Sequence, residues 1–145
     1  MKNLILLSVG ALSLAACAPM MAPAYTLTRQ DSAPAGLNPV GTVAAEKTDT
    51  TTTTTARLTG LAANTYYVAH YHKMGTASTD PCKSGGPLIM SSMMVGQTDA
   101  GGALVLNGVV ANADIASATY YNVHTAKDSM GTPADGGVAC TTVRP

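Results

Sequence analysis

Short stretches in which polar and apolar residues alternate, separated by Gly, Pro, Asp and Ser, run through most of this chain. That pattern predicts strands and turns. Strands are expected at 24–28, 40–46, 50–61, 65–72, 88–95, 103–110, 118–125 and 138–143. Between them, 31–39 carries Pro34, Gly36 and Pro39 and reads as a loop. The segment Asp99-Ala100-Gly101-Gly102 reads as a tight hairpin turn. Positions 111–117 suit a single helical turn, and 75–87 and 126–137 read as long loops. The unbroken run of six Thr at 50–55 is β-branched and flows into Ala56-Arg57-Leu58, so it reads as one strand with a solvated Thr edge. About eight short strands at regular spacing predict an all-β fold, a Greek-key sandwich or barrel of antiparallel strands.

The start of the chain breaks the pattern. Met1-Lys2-Asn3 is a short basic lead, and 4–16 is an apolar run too short for a bilayer-spanning helix but right for a secretory core. It ends in Leu14-Ala15-Ala16-Cys17, small residues before a Cys, which resembles the bacterial lipobox. The expected division is a signal peptide at 1–16, a lipidated Cys17 with a tether at 17–24, and a β domain at 25–145. A plain signal peptide cut at a nearby small residue is the alternative. Lipidation predicts an exported protein anchored to a bacterial membrane in the cell envelope. Ala18, in place of Asp, favours the outer one.

Composition narrows the function. The 8 Lys and Arg balance 8 Asp and Glu, which leaves no basic stripe for nucleic acid. Phe and Trp are absent, so Val, Leu, Ile, Met, Ala and Tyr must build the core. With Cys17 lipidated, Cys82 and Cys140 remain, 58 positions apart. An even pair in an exported protein reads as a disulfide, while a soft-metal site using both thiolates is the rival.

The 3 histidines all fall in expected strands. His70 and His72 stand at i and i+2, so both imidazoles leave one face. That pair suits a metal with nitrogen ligands and a tolerance for flat geometry, copper above all. His124, from a neighbouring strand, would make a three-nitrogen site with an open position. The plain alternative is two surface histidines. Met90, Met93 and Met94 cluster in the expected strand 88–95; thioethers suit Cu(I), and methionine is also core filler. The Tyr pairs at 66–67 and 120–121 place one ring on each sheet face and read as packing.

In sequence order these motifs resemble a family. Leu58-Thr59-Gly60-Leu61 followed by His70-Tyr71-His72 resembles the Gly-Leu turn and His-x-His strand of the copper–zinc superoxide dismutases. Cys82-Lys83-Ser84-Gly85-Gly86-Pro87 is similar to the loop holding the first disulfide Cys, and Val95-Gly96-Gln97-Thr98-Asp99 to the later strand and turn. Val123-His124, with Lys127-Asp128-Ser129-Met130-Gly131 after it, resembles the third copper-binding His and its loop. Ala134-Asp135-Gly136-Gly137-Val138-Ala139-Cys140 resembles the segment carrying the second Cys. Over 40–143 the likeness is to a reduced, copper-only form of the family, related to CHRD-type domains.

The resemblance implies a superoxide dismutase-like fold and a disulfide between Cys82 and Cys140. It also implies one copper per chain on His70, His72 and His124, through which superoxide would be converted to dioxygen and hydrogen peroxide. Two departures qualify it. Leu88 stands where zinc-binding members have the bridging His, and no His is left for zinc, so none is expected. Gly137 stands where the family has its guiding Arg, leaving Lys83, Lys127 and Arg144 as possible substitutes. The alternatives are a non-catalytic copper-binding or buffering lipoprotein, with Met93 and Met94 as extra Cu(I) ligands, and a structural CHRD-type β domain without metal.

Overall fold

A computed structural model describes residues 22–145; the expected signal segment 1–16, Cys17 and the first part of the tether lie outside the described residues. Eight strands form one antiparallel, nearly closed sheet. They are β1 (Ala24–Arg29), β2 (Val40–Lys47), β3 (Thr51–Thr59), β4 (Tyr66–Lys73), β5 (Met94–Gln97), β6 (Leu104–Ala111), β7 (Ala118–Thr125) and β8 (Ala139–Thr142). The order across the sheet is β5-β4-β7-β8-β1-β2-β3-β6. β3 pairs with β6 and β4 with β7, so the chain skips neighbours as a Greek key does. The expected helical turn is α1 (Asn112–Ile115).

The two edges of the sheet, β5 and β6, close on each other through side chains. Gly96 leaves room for Leu106 and Leu104, and Met94 packs against Gly108. Inside lie Leu27, Val43, Leu58, Leu104, Leu106 and the rings of Tyr67, Tyr71 and Tyr121. Tyr71 and Tyr121 meet edge to face at 5.2 Å, filling space that Phe and Trp would take in another core.

Two expectations need correction. The Thr run is not an edge, because β3 lies between β2 and β6. Thr52 and Thr54 point inward and are buried. Each finds a partner there: Thr54 Oγ1 lies 2.9 Å from the Tyr71 hydroxyl, and Thr52 Oγ1 donates to Asn112 Oδ1 at 2.7 Å. The expected strand 88–95 is broken. Leu88 makes one isolated bridge to His72, Met90–Ser92 forms a 3-10 turn, and β5 starts only at Met94. The cause is Ser92. Its hydroxyl donates to the Ile89 carbonyl at 2.7 Å and accepts from the Tyr71 amide at 2.9 Å, taking the place of a strand partner.

β4 is buried on both faces. Tyr67, Ala69 and Tyr71 enter the core, while Val68, His70 and His72 face outward beneath the loops that follow β4 and β7. A disulfide joins Cys82, in the 3-10 turn Pro81–Lys83, to Cys140 in β8. It pins the first of those loops to the sheet and removes the two sulfurs from any thiolate metal site. Closing a loop of this length stabilises the fold by about 4 kcal/mol in the chain-entropy model.

Candidate metal centre

The outer face of β4 and β7 brings the three histidines together. His72 lies opposite Tyr120, His70 opposite Asn122, and Val68 opposite His124. The antiparallel register therefore sets His124 diagonally beside His70. The ring centroids are 6.1, 6.0 and 5.8 Å apart, and one nitrogen of each ring lies within 4.8 Å of the others. All three side chains are buried.

Two of the rings are held by backbone. His72 Nδ1 lies 3.0 Å from the Gly86 carbonyl oxygen, and His124 Nδ1 lies 3.0 Å from that of Asp135. A carbonyl only accepts, so each Nδ1 carries the proton and each Nε2 keeps a bare lone pair. His72 Nε2, His124 Nε2 and His70 Nδ1 are buried without a hydrogen-bond partner. A buried polar atom without a partner costs roughly 1–3 kcal/mol. Three such atoms converging on one point fit a cation and nothing apolar. This group can hold a metal ion.

Electrostatics favour the ligating state. Burial, reinforced by His124 and His72, pushes His70 down to about 4, so its ring is neutral near pH 7. Burial also lowers His72, against the opposing pull of its bond to Gly86. Asp135 stands beside His124, its carboxylate 3.7 Å from Nδ1. Burial would raise this carboxyl, but the His124 ring beside it and hydrogen bonds from the Thr125 and Gly137 amides outweigh that and hold the group below its ordinary value.

Close backbone approaches fix the supporting carbonyls. A Cβ on Gly86 would run into the Lys73 carbonyl, so only Gly lets this loop lie against the end of β4. Gly137 has φ +122°, and its missing Cβ leaves the space filled by the Asn122 amide. Asn122 Nδ2 donates to the Gly136 carbonyl at 3.1 Å.

His72 and His124 line an open cleft of about 400 Å³, walled by Tyr120, Asn122, Gly85, Gly86, Cys82 and Lys83. Of the three substitute cations, Lys83 alone reaches this cleft, where it pairs with Asp31 at 3.3 Å. Arg144 lines a separate hollow with Tyr25 and Glu46.

The sequence pattern supplies all three histidines but misses their supports. Tyr120 and Asn122 share the face of His124, and simple alternation is the signal that would have found them. The carbonyls of Gly86 and Asp135 sit in loops and leave no periodic signal. Met90 and Met93 are exposed, so only Met94 of the three serves as core filler. No protein-family model matches this chain, and no curated protein matches it.

Proposed function

We propose that this chain is an exported, lipid-anchored copper protein of the superoxide dismutase-like kind, which converts superoxide to dioxygen and hydrogen peroxide. The observation that carries the reading is the convergence of three buried, unpartnered imidazole nitrogens beside an open cleft. An all-nitrogen neutral donor set, with no carboxylate in it, favours copper, which leads the divalent affinity order. Copper held there supplies one-electron exchange in both directions, so that two superoxide ions and two protons yield one dioxygen and one hydrogen peroxide.

The chain's own residues do the rest. His70, His72 and His124 present three donors and leave the cleft side free for a small anion. The Gly86 and Asp135 carbonyls hold two rings in the ligating tautomer, as ligand-supporting groups do in metal sites generally. Lys83 supplies the positive charge at the cleft wall. Solvent in the open cleft delivers protons, since no acid stands at the three nitrogens. Cys17, lipidated, would hold the domain at a membrane surface.

A copper-holding role without turnover is the second reading. One observation favours it: Lys83 is exposed and already paired with Asp31, so the cleft carries little net attraction for an anion.

Metal analysis, Cu(II) electron paramagnetic resonance and superoxide consumption test both readings. One copper per chain in a three-nitrogen signature, lost in His124→Ala, supports the centre. Consumption that follows copper content supports the enzyme; fully loaded protein without consumption leaves the holding role. Preference for zinc at these histidines overturns both. Metabolic labelling with palmitate, abolished by Cys17→Ser, tests the anchor.

A further inference from the structure

This chain places thioethers in water while its core has neither Phe nor Trp. Of its 8 methionines, Met94 is 5% exposed and packed inside, where the Tyr121 hydroxyl donates to its sulfur at 3.8 Å. Met90, Met93 and Met130 are instead 63%, 41% and 78% exposed.

These three come from two segments that meet. Met90 and Met93 bracket the 3-10 turn, closed by the Met93 amide donating to the Met90 carbonyl at 3.1 Å. Residues three apart in such a turn eclipse, so both side chains rise on one side. Met94 pairs with Ala69 and turns inward, which turns Met93 to the outer face, the face of Val68 and His70. Gly131 lies over that face against Val95, Val68 and Met93, whose sulfur is 3.5 Å from the place a Cβ would take. Met130 is therefore delivered next to Met93. Its loop is fixed, because the Asp128 carboxylate accepts from the Met130 and Thr132 amides at 2.9 and 3.3 Å.

We propose that Met90, Met93 and Met130 form a thioether site for a soft monovalent cation, Cu(I) or its redox-inert counterpart Ag(I), on the rim beside His70. Thioethers are neutral and soft; they select Cu(I) over zinc and the hard divalent ions. They do not titrate, so the site keeps its ligands at acid pH where imidazoles take up protons. The site goes beyond the three-histidine centre and rests on that reading only for copper being the metal the protein meets.

The test is nuclear magnetic resonance of methyl-labelled methionines with added Ag(I), in the wild type, in His124→Ala and in the combined Met90→Leu, Met93→Leu, Met130→Leu variant. Leu keeps the bulk of these exposed side chains, so the last variant should fold. The methyl signals of Met90, Met93 and Met130 should move together and saturate at a single equivalent, in the wild type and in His124→Ala alike. Met94 and Met74 should stay still. The leucine variant should lose this Ag(I) site and keep its Cu(II) resonance spectrum. Methyl signals that do not move, or that move only when His124 is present, overturn the proposal and leave the histidine centre standing. Coupled movement in a protein that shows no three-nitrogen Cu(II) signature supports the thioether site and removes the copper centre.

Discussion

His72 and Tyr120 face each other across β4 and β7 with rings stacked, centroids 4.6 Å apart and planes 19° from parallel, and both reach the same Gly86 carbonyl oxygen. The tyrosine thereby fixes the imidazole twice, by its ring and through a shared acceptor. Tyr120→Phe keeps the stack and loses the hydroxyl bond, while Tyr120→Ala loses both. Supporting groups of this kind change metal affinity by roughly 10- to 100-fold. Copper affinity measured by chelator competition should fall in the order wild type, Phe, Ala. Equal affinities would remove Tyr120 from the centre.

The disulfide anchors the loop that carries Gly86. Cys82→Ser together with Cys140→Ser should lower unfolding free energy by up to about 4 kcal/mol in denaturant titration. Copper affinity should fall with it, because the His72 acceptor is less firmly held. In the folded, non-reduced protein neither of these two cysteines should react with a thiol reagent.

Gly137→Arg is the obvious way to add a cation beside Asn122, but the structure opposes it. The residue has φ +122°, and any Cβ meets the Asn122 amide. Strain of that kind costs roughly 1–3 kcal/mol. Thermal unfolding should show Gly137→Arg, and even Gly137→Ala, to be destabilised, with no gain in rate. Adding Asn122→Ala should recover part of the loss by opening the space and none of the backbone strain.

Lys83 is the better place to alter charge. Steering by a charged cleft can change on-rates by about 10 to 10³-fold when many charges act; one paired lysine lies at or below the low end. Asp31→Asn should raise copper-dependent superoxide consumption modestly, and Lys83→Glu should lower it. Both differences should shrink as salt is added. A response to Lys83→Glu that persists at high salt would mean that Lys83 acts by contact rather than by field.

Without metal, stability should depend on pH in the range set by His70. Its folded value is about 4 against the ordinary 6.5. As pH falls between those values the unfolded chain takes up a proton that the folded ring refuses, so stability falls with pH. The loss should be on the order of 3 kcal/mol between pH 7 and 4, with His72 adding in the same direction. Asp135, held below its ordinary value, loses its contribution at still lower pH. Unfolding curves of metal-free protein would show the slope, and His70→Gln should flatten it.

Alternation and the turn residues locate seven of the eight strands and put His70 and His72 on one face, because strand geometry repeats every two residues and needs no partner to be read; that His124 shares this face depends on the β4–β7 register. The stretch from Leu88 to Met94 defeated it. There a single Ser92 hydroxyl substitutes for a ladder bond, and nothing in the hydrophobic pattern marks that exchange. The Thr run misled for a related reason. A buried Thr looks like a solvated one until Tyr71 and Asn112 are seen to satisfy it. Asp135 and the Gly86 carbonyl were invisible because loops set them, and the filling of Gly137's space by Asn122 depends on a contact between β7 and the loop that follows it.

The pairing of β4 with β7 has a kinetic meaning. His70 and His72 are neighbours in sequence, but His124 follows His72 by 52 residues and joins them only when those strands dock. An unfolded chain offers a metal just the local two-point grip of His70 and His72. The third donor arrives with native topology, at the entropic cost of closing a long loop. Tight capture of a metal ion by this group would therefore be a late event in folding, and a chain that has not yet folded would pass through a metal-poor or metal-rich space without committing to an ion.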